Sequence, residues 1–227
     1  MKKVILLSGK MRSGKNQYAE FLKRDFESKG LKVKEDLYAK DLKDYSVEDF
    51  SMLGSVLKHK VEAIKSELGV FFDFHDKASI SAQDSINKKL DELIFTPSNF
   101  YEDKTDITRA LLQLYGTNIA RNRFHDHFWI ERMAKRLNED TEHDVIIVTD
   151  VRFPNEIEDI QEYVKDCRIV PIRIERDFDR NDVSKEHASE TALDEYKFFE
   201  WIIDNNGTLE ELEQASDTVT NYILDLE

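Results

Sequence analysis

Eight residues near the start of the chain, Gly9-Lys10-Met11-Arg12-Ser13-Gly14-Lys15-Asn16, have the types and spacing to hold a phosphate group. The pattern is G-x-x-x-x-G-K. Two glycines let the backbone turn tightly with its N–H groups inward, and a helix opening at the second glycine aims its positive dipole end at the same point. Lys15 adds a point charge that reaches the outer phosphates of a nucleotide. Such P-loops normally continue with Ser or Thr, whose hydroxyl goes to Mg²⁺. Here the residue is Asn16, whose amide oxygen suits a hydrogen bond from a metal-bound water better than direct ligation.

A second cluster follows the apolar run Val145-Ile146-Ile147-Val148, which reads as a strand buried on both faces. The run leads into Thr149-Asp150-Val151-Arg152-Phe153-Pro154-Asn155-Glu156. In P-loop enzymes an acidic residue at the tip of the strand beside the P-loop strand orients Mg²⁺ through water, and Asp150 is placed for that role. Arg152 can point across the cleft at a phosphate. A buried strand ending in a polar turn explains the apolar run but neither of these two side chains. Further along, Glu175-Arg176-Asp177-Phe178-Asp179-Arg180 opens a densely charged stretch. It reads either as a surface loop or as a lid whose arginines close on a transferring phosphoryl group and exclude water. Lys40 and Lys43 are candidate anion contacts, although a solvated loop explains either lysine alone better, and Arg109, Arg121 and Arg123 flank the periodic segment over 107–123.

These groups need elements to position them. Val4-Ile5-Leu6-Leu7 predicts a first strand ahead of the loop. Tyr18, Phe21, Leu22 and Phe26 predict a helix from about Gly14 to Lys29, stopped at Gly30. Leu31 to Lys34 predicts a second strand, and Arg168 to Ile174 a fourth, for which Pro171 argues an edge or an end and leaves the position in the sheet open. Phe198 to Ile203 predicts a fifth strand. A last helix starts at the Thr208/Glu211 capping box and buries Leu209, Leu212, Val219 and Ile223. Between strands, Phe128 to Leu137 predicts a helix, with His125 and His127 in the turn before it because positions two apart share no helix face. Pro154 predicts another helix carrying Ile157, Ile160 and Val164. A stripe from Phe50 to Leu68 and periodic segments over 81–94 and 107–123 predict a helical insertion at about 46–106 and a helix after it.

The totals bound the class. With 227 residues, 40% of them hydrophobic and 35% charged, the chain suits one α/β domain with an insertion. The net charge of −14 argues against binding a nucleic-acid polymer, although cations gathered in one cleft can still take a nucleotide. No apolar run reaches the length of a membrane span, the run after Met1-Lys2-Lys3 is too short for a signal peptide, and the single cysteine, Cys167, allows no internal disulfide. A cytoplasmic protein is expected.

Four segments together resemble the deoxynucleoside monophosphate kinases of bacteriophages: Gly9 to Lys15; Leu111-Leu112-Gln113-Leu114-Tyr115-Gly116-Thr117 with Arg121 and Trp129; Thr149 to Glu156; and His187-Ala188-Ser189-Glu190. Asp204 to Glu211 is also similar, and roughly residues 60–105 are not covered. The resemblance implies one three-layer α/β/α P-loop kinase domain over 1–227. It would have a parallel sheet of about five strands, the helical insertion and a lid at about 175–195. It implies transfer of the ATP γ-phosphoryl group to a deoxynucleoside monophosphate. Gly9, Lys10, Met11, Arg12, Ser13, Gly14, Lys15 and Asn16 would hold ATP, and Asp150, with Asn16, would serve Mg²⁺. Lys15, Arg152, Arg176 and Arg180 would be the catalytic cations. Lys43, Arg109, Arg121, Arg152, Ser189 and Glu190 would line the acceptor site. The partners implied are nucleotides, with no membrane, and the insertion is compatible with a homodimer. A P-loop kinase for another phosphorylated acceptor, such as phosphomevalonate, and a non-catalytic nucleotide-binding module are the rival readings.

Overall fold

Five parallel strands form one sheet in the order β2-β3-β1-β4-β5 in the computed structural model, which describes residues 1–44, 112, 125–177 and 188–225. The strands are β1 (Lys2–Ser8), β2 (Val33–Asp36), β3 (Val145–Val148), β4 (Cys167–Glu175) and β5 (Trp201–Asp204). The helices are α1 (Lys15–Ser28), α2 (Phe128–Glu139), α3 (Asn155–Glu158), α4 (Ile160–Tyr163), α5 (Ala188–Thr191) and α6 (Leu209–Asp225). Helices between parallel strands cover both faces, giving the three-layer α/β/α fold of P-loop kinases. The chain divides into two compact units, one of 1–38 with 127–227 and one of 39–126. Within the described part of the second unit, residues 39–44 are helical and carry Lys40 and Lys43. The expected insertion at 46–106, together with Arg109, Arg121, Arg123 and Arg180, lies outside the described residues.

Strand alternation builds two cores. Ile5, Leu7, Val145, Ile147, Val170, Ile172 and Ile174 turn to one face and pack with Tyr18, Leu22 and Phe26 of α1 and with Leu212, Val219 and Ile223 of α6. Their alternates Val4, Leu6, Ile146 and Val148 are equally buried, as are Trp129, Ile130, Met133 and Leu137 of α2. Helix α1 ends where Gly30 was expected to stop it. The N–H of Gly30 bonds to Glu27 O at 2.9 Å and that of Leu31 to Phe26 O at 3.2 Å, a Schellman closure. The capping box of α6 forms in both directions, Thr208 N–H to Glu211 Oε2 at 2.7 Å and Glu211 N–H to Thr208 Oγ1 at 3.2 Å.

Several expectations need correction. Strand β4 is interior, between β1 and β5, despite Pro171. In a parallel ladder a residue's N–H and C=O serve the same neighbour. Pro171 accepts from Glu200 N–H at 2.9 Å, so its missing donor faces the β5 side just ahead of that strand's start. Strand β2 begins at Val33, not Leu31, and β5 at Trp201, leaving Phe198 76% exposed. Leu209 is on the outer face of α6 and is exposed, because the capping box makes it the first helical residue, ahead of the buried stripe. The helix expected through Val164 is split into α3 and α4 at Asp159, whose carboxylate lies 3.0 Å from His127 Nε2. His127 does precede α2 in a turn. Among the described residues no helix is long and apolar enough to cross a membrane.

Asp140, just past α2, ties that helix to β2. Its nearly buried carboxylate sits 2.9 Å from Lys34 Nζ and accepts from His143 Nδ1 at 2.9 Å and from the backbone N–H groups of His143 and Glu142. Burial alone would raise its pKa, but the bonds from Lys34, His143 and Glu142 together hold it well below the usual carboxylate range. The charged form is therefore favoured by folding. Its contribution is complete above the unfolded carboxylate pKa of about 4 and is lost as the pH falls through the lower folded value. Asp140→Asn is expected to lower urea-unfolding stability by about 1–3 kcal/mol at neutral pH. The gap to wild type should close progressively below about pH 4; a gap that stays constant into acid would show that the charge contributes nothing.

Candidate active site

The P-loop is held from three sides. Gly9 has φ 150° and Gly14 φ 93°, both in the region that favours glycine, and Arg12 has φ 66° at the exposed tip. A Cβ on Gly9 would lie 2.5 Å from Ile174 O, and one on Gly14 would lie 2.2 Å from Asn205 Nδ2. That amide donates to Ser13 O at 2.8 Å, and the backbone N–H of Asn205 bonds to Glu175 O at 2.8 Å. The residue after β5 thus fastens the loop to β4. Lys15 is buried, with its ammonium donating to Gly9 O and, at 2.8 Å, to Lys10 O. Ser13 Oγ is buried near Gly9 without a protein partner. A close-packed turn with an orphaned hydroxyl and a lysine drawn across its mouth fits a phosphate group.

The segment after β3 is fixed by two carboxylates. Thr149 N–H bonds to Asp36 O and Val151 N–H to Leu7 O, so the chain stays beside β1 as it leaves the sheet. Glu156, 3% exposed, accepts from Arg152 N–H at 2.7 Å and Phe153 N–H at 3.2 Å through one oxygen. Asp150 Oδ1 accepts from Tyr38 N–H at 2.8 Å, and the Tyr38 hydroxyl donates to Glu156 O at 2.7 Å. Two residues before Tyr38, Asp36 is buried, accepts from Leu37 N–H at 2.7 Å and is gripped by Arg136 through Nε at 3.2 Å and Nη2 at 3.1 Å. The tip of β2 therefore sets where Asp150 sits.

Gly9, Arg152 and Ser189 line one pocket together with Ser8, Val151, Arg173 and Leu193. Three predicted site residues from distant parts of the chain thus meet. Met11, Arg12, Asn16 and Arg176 are exposed, and none of them lines this pocket. Lys43 belongs to the second unit. The side chain of Glu190 is outside the described residues, as are Arg109, Arg121 and Arg180.

Residues 40–215 match the family of the deoxynucleotide monophosphate kinases. This chain belongs to that family. The match begins after the P-loop, so the loop's geometry is an observation independent of it. The chain is also similar to the deoxynucleoside-5′-monophosphate kinase of Escherichia phage T5, at 41% identity over 54 residues. The matched stretch is 24% of this chain and spans about a fifth (21%) of that relative's length.

Sequence reasoning did not assign roles to Arg173, Asp194, Asn205 or Glu156. A visible signal was the lone charge inside the run Ile169-Val170-Pro171-Ile172-Arg173-Ile174. The packing around Gly14 makes a direct test. Gly14→Ala is expected to lower unfolding stability by about 2 kcal/mol or more, from the positive φ and the clash with Asn205. Gly14→Ala combined with Asn205→Ala should recover the steric part. Urea titrations of the two variants check this; equal stability for Gly14→Ala and wild type would mean that the loop is not held as described.

Proposed function

We propose that the chain transfers the γ-phosphoryl group of ATP to the 5′-phosphate of a deoxynucleoside monophosphate, giving the diphosphate and ADP. The observation that carries this reading is the pocket lined by both Gly9, the first residue of the P-loop, and Arg152. A loop that cradles one phosphate and an arginine that takes another are what an in-line transfer between two phosphates requires. Family membership and the name of the phage T5 relative support the same substrates.

The work of the protein is positioning and charge neutralisation. Backbone N–H groups of the P-loop hold the ATP phosphates, and Lys15 exchanges its two loop carbonyls for phosphate oxygens. Arg152 grips the acceptor's phosphate, with its backbone locked by Glu156. The acceptor oxygen is already anionic, so no strong general base is needed. Mg²⁺ would be held from Asp150, with Asn16 as an outer contact, and would supply countercharge to the phosphates. Asp150 is a half-buried carboxylate at the tip of the strand beside β1, which fits that group, whereas Asn16 is exposed. Arg176, just past β4, and Arg180 are the arginines assigned to a lid, and Ser189 lines the acceptor end.

A coupled ADP-release assay with Mg·ATP and each of dTMP, dGMP, dCMP, dAMP and their ribo counterparts tests the reading. Release that depends on a deoxynucleotide is the expected result. Release without acceptor dependence would indicate an ATPase, and silence with ATP binding intact would point to another acceptor or a binding module. Within an active enzyme, Lys15→Ala should lower kcat by about a hundredfold or more. Arg152→Ala should instead raise the acceptor KM by about tenfold. No loss in either variant would remove the assigned site.

A further inference from the structure

Strand β4 carries one charge in its buried stretch. Val170, Ile172 and Ile174 pack toward α1 and α6, while Arg173 turns to the other face, opposite Ser8 in the ladder. The residue is 7% exposed. An apolar side chain of similar length would avoid the desolvation of a guanidinium here, so packing does not account for the arginine. Its Nη1 donates to Ser8 Oγ at 3.0 Å and its Nη2 to Asp194 Oδ1 at 2.9 Å, which uses two of five N–H donors. Phe199 covers one side, with Cζ 5.9 Å from the ring centroid. The exposed Glu175 carboxylate is at the limit of ion pairing, 4.0 Å from Nε.

Asp194 gives its other oxygen to Lys10 of the P-loop at 2.9 Å, so one carboxylate bridges the loop and Arg173. Arg152 brings a second guanidinium to the pocket that Arg173 lines. Two arginines, a P-loop backbone and a shared carboxylate suit a multiply charged oxyanion. Ser8 and Asp194 already hold the guanidinium in the pocket wall, so little side-chain freedom is lost when an anion arrives.

We propose that Arg173 is a substrate-contacting residue which, with Arg152, holds the phosphate of the acceptor nucleotide. Arg173 reaches that phosphate from the β4 side of the P-loop strand and Arg152 from the β3 side. The proposal rests on the phosphotransfer reading above.

The test compares wild type, Arg173→Met and Arg173→Lys, each first shown to be folded by far-UV circular dichroism and urea unfolding. Each is titrated with inorganic phosphate in a thermal-shift experiment, with a saturating non-hydrolysable ATP analogue present, and assayed for kcat and both KM values. Arg173→Met should lose most of the phosphate-dependent shift and raise the acceptor KM by about tenfold or more, with the ATP KM changed less than about twofold. Arg173→Lys should recover only part, because an ammonium replaces a planar fork. A folded Arg173→Met with wild-type acceptor KM and an undiminished shift overturns the proposal. If Arg173→Met does not fold, Arg173→Lys decides: a raised acceptor KM supports the contact and an unchanged one overturns it. If the wild type turns over no nucleoside monophosphate, the kinase reading fails and the phosphate titration alone decides. A shift that survives without Arg173, or no shift in the wild type, then refutes the contact.

Discussion

Everything at the site depends on β1 being paired in parallel on both sides. Leu6 aligns with Val148 of β3, and Ser8 aligns with Arg173 of β4. Parallel pairing brings the carboxyl ends of these strands to one edge, and there the P-loop, the Asp150–Arg152 segment and Arg173 emerge side by side. No single segment contains the site. A slip of one residue in the β1–β4 ladder would turn Arg173 into the apolar layer against α1 and α6 and turn an isoleucine toward the pocket.

Around that edge, each segment of the candidate site is held by a polar group of another residue. Asn205 fastens the P-loop, Glu156 fastens the backbone of Arg152, Tyr38 fastens Asp150, and Asp194 joins Lys10 to Arg173. Groups proposed to meet a highly charged ligand gain from being fixed before it binds, since less ordering remains to oppose association. Several buried polar residues belong to this arrangement: Ser8, Asp36 and Asn205 lie at or just beyond strand ends, Arg173 lies two residues before the end of β4, and Glu156 lies in α3.

What could be read from the sequence was local. The P-loop announces itself because its glycines and lysine act through adjacent backbone, and the α6 capping box because both partners lie within one turn. Asp150 and Arg152 stood out as candidates because an apolar run ends beside them. Arg173 was not, because its meaning comes from facing Ser8 across a ladder that sequence spacing does not reveal. Asn205 read as part of a turn for the same reason; its contact is with Ser13, at the other end of the chain. Pro171 misled in the opposite sense: the rule about missing donors is sound, but it restricts one side of one residue and not the whole strand.

The topology also governs the order in which the molecule can assemble during synthesis. The partner of Lys3 is Val145, that of Lys2 is Cys167, and β2 likewise pairs first with Val145. The nascent chain therefore holds the apolar run Val4 to Leu7 of β1 without its native β-partners until β3 has left the ribosome. Helix α1 can shield one face of that strand early, but its backbone edges stay open to water and to other chains. A sheet closed only by late, distant strands folds slowly and is vulnerable while it waits. Translation pace and chaperone supply in the producing cell thus bear directly on how much active protein each ribosome yields.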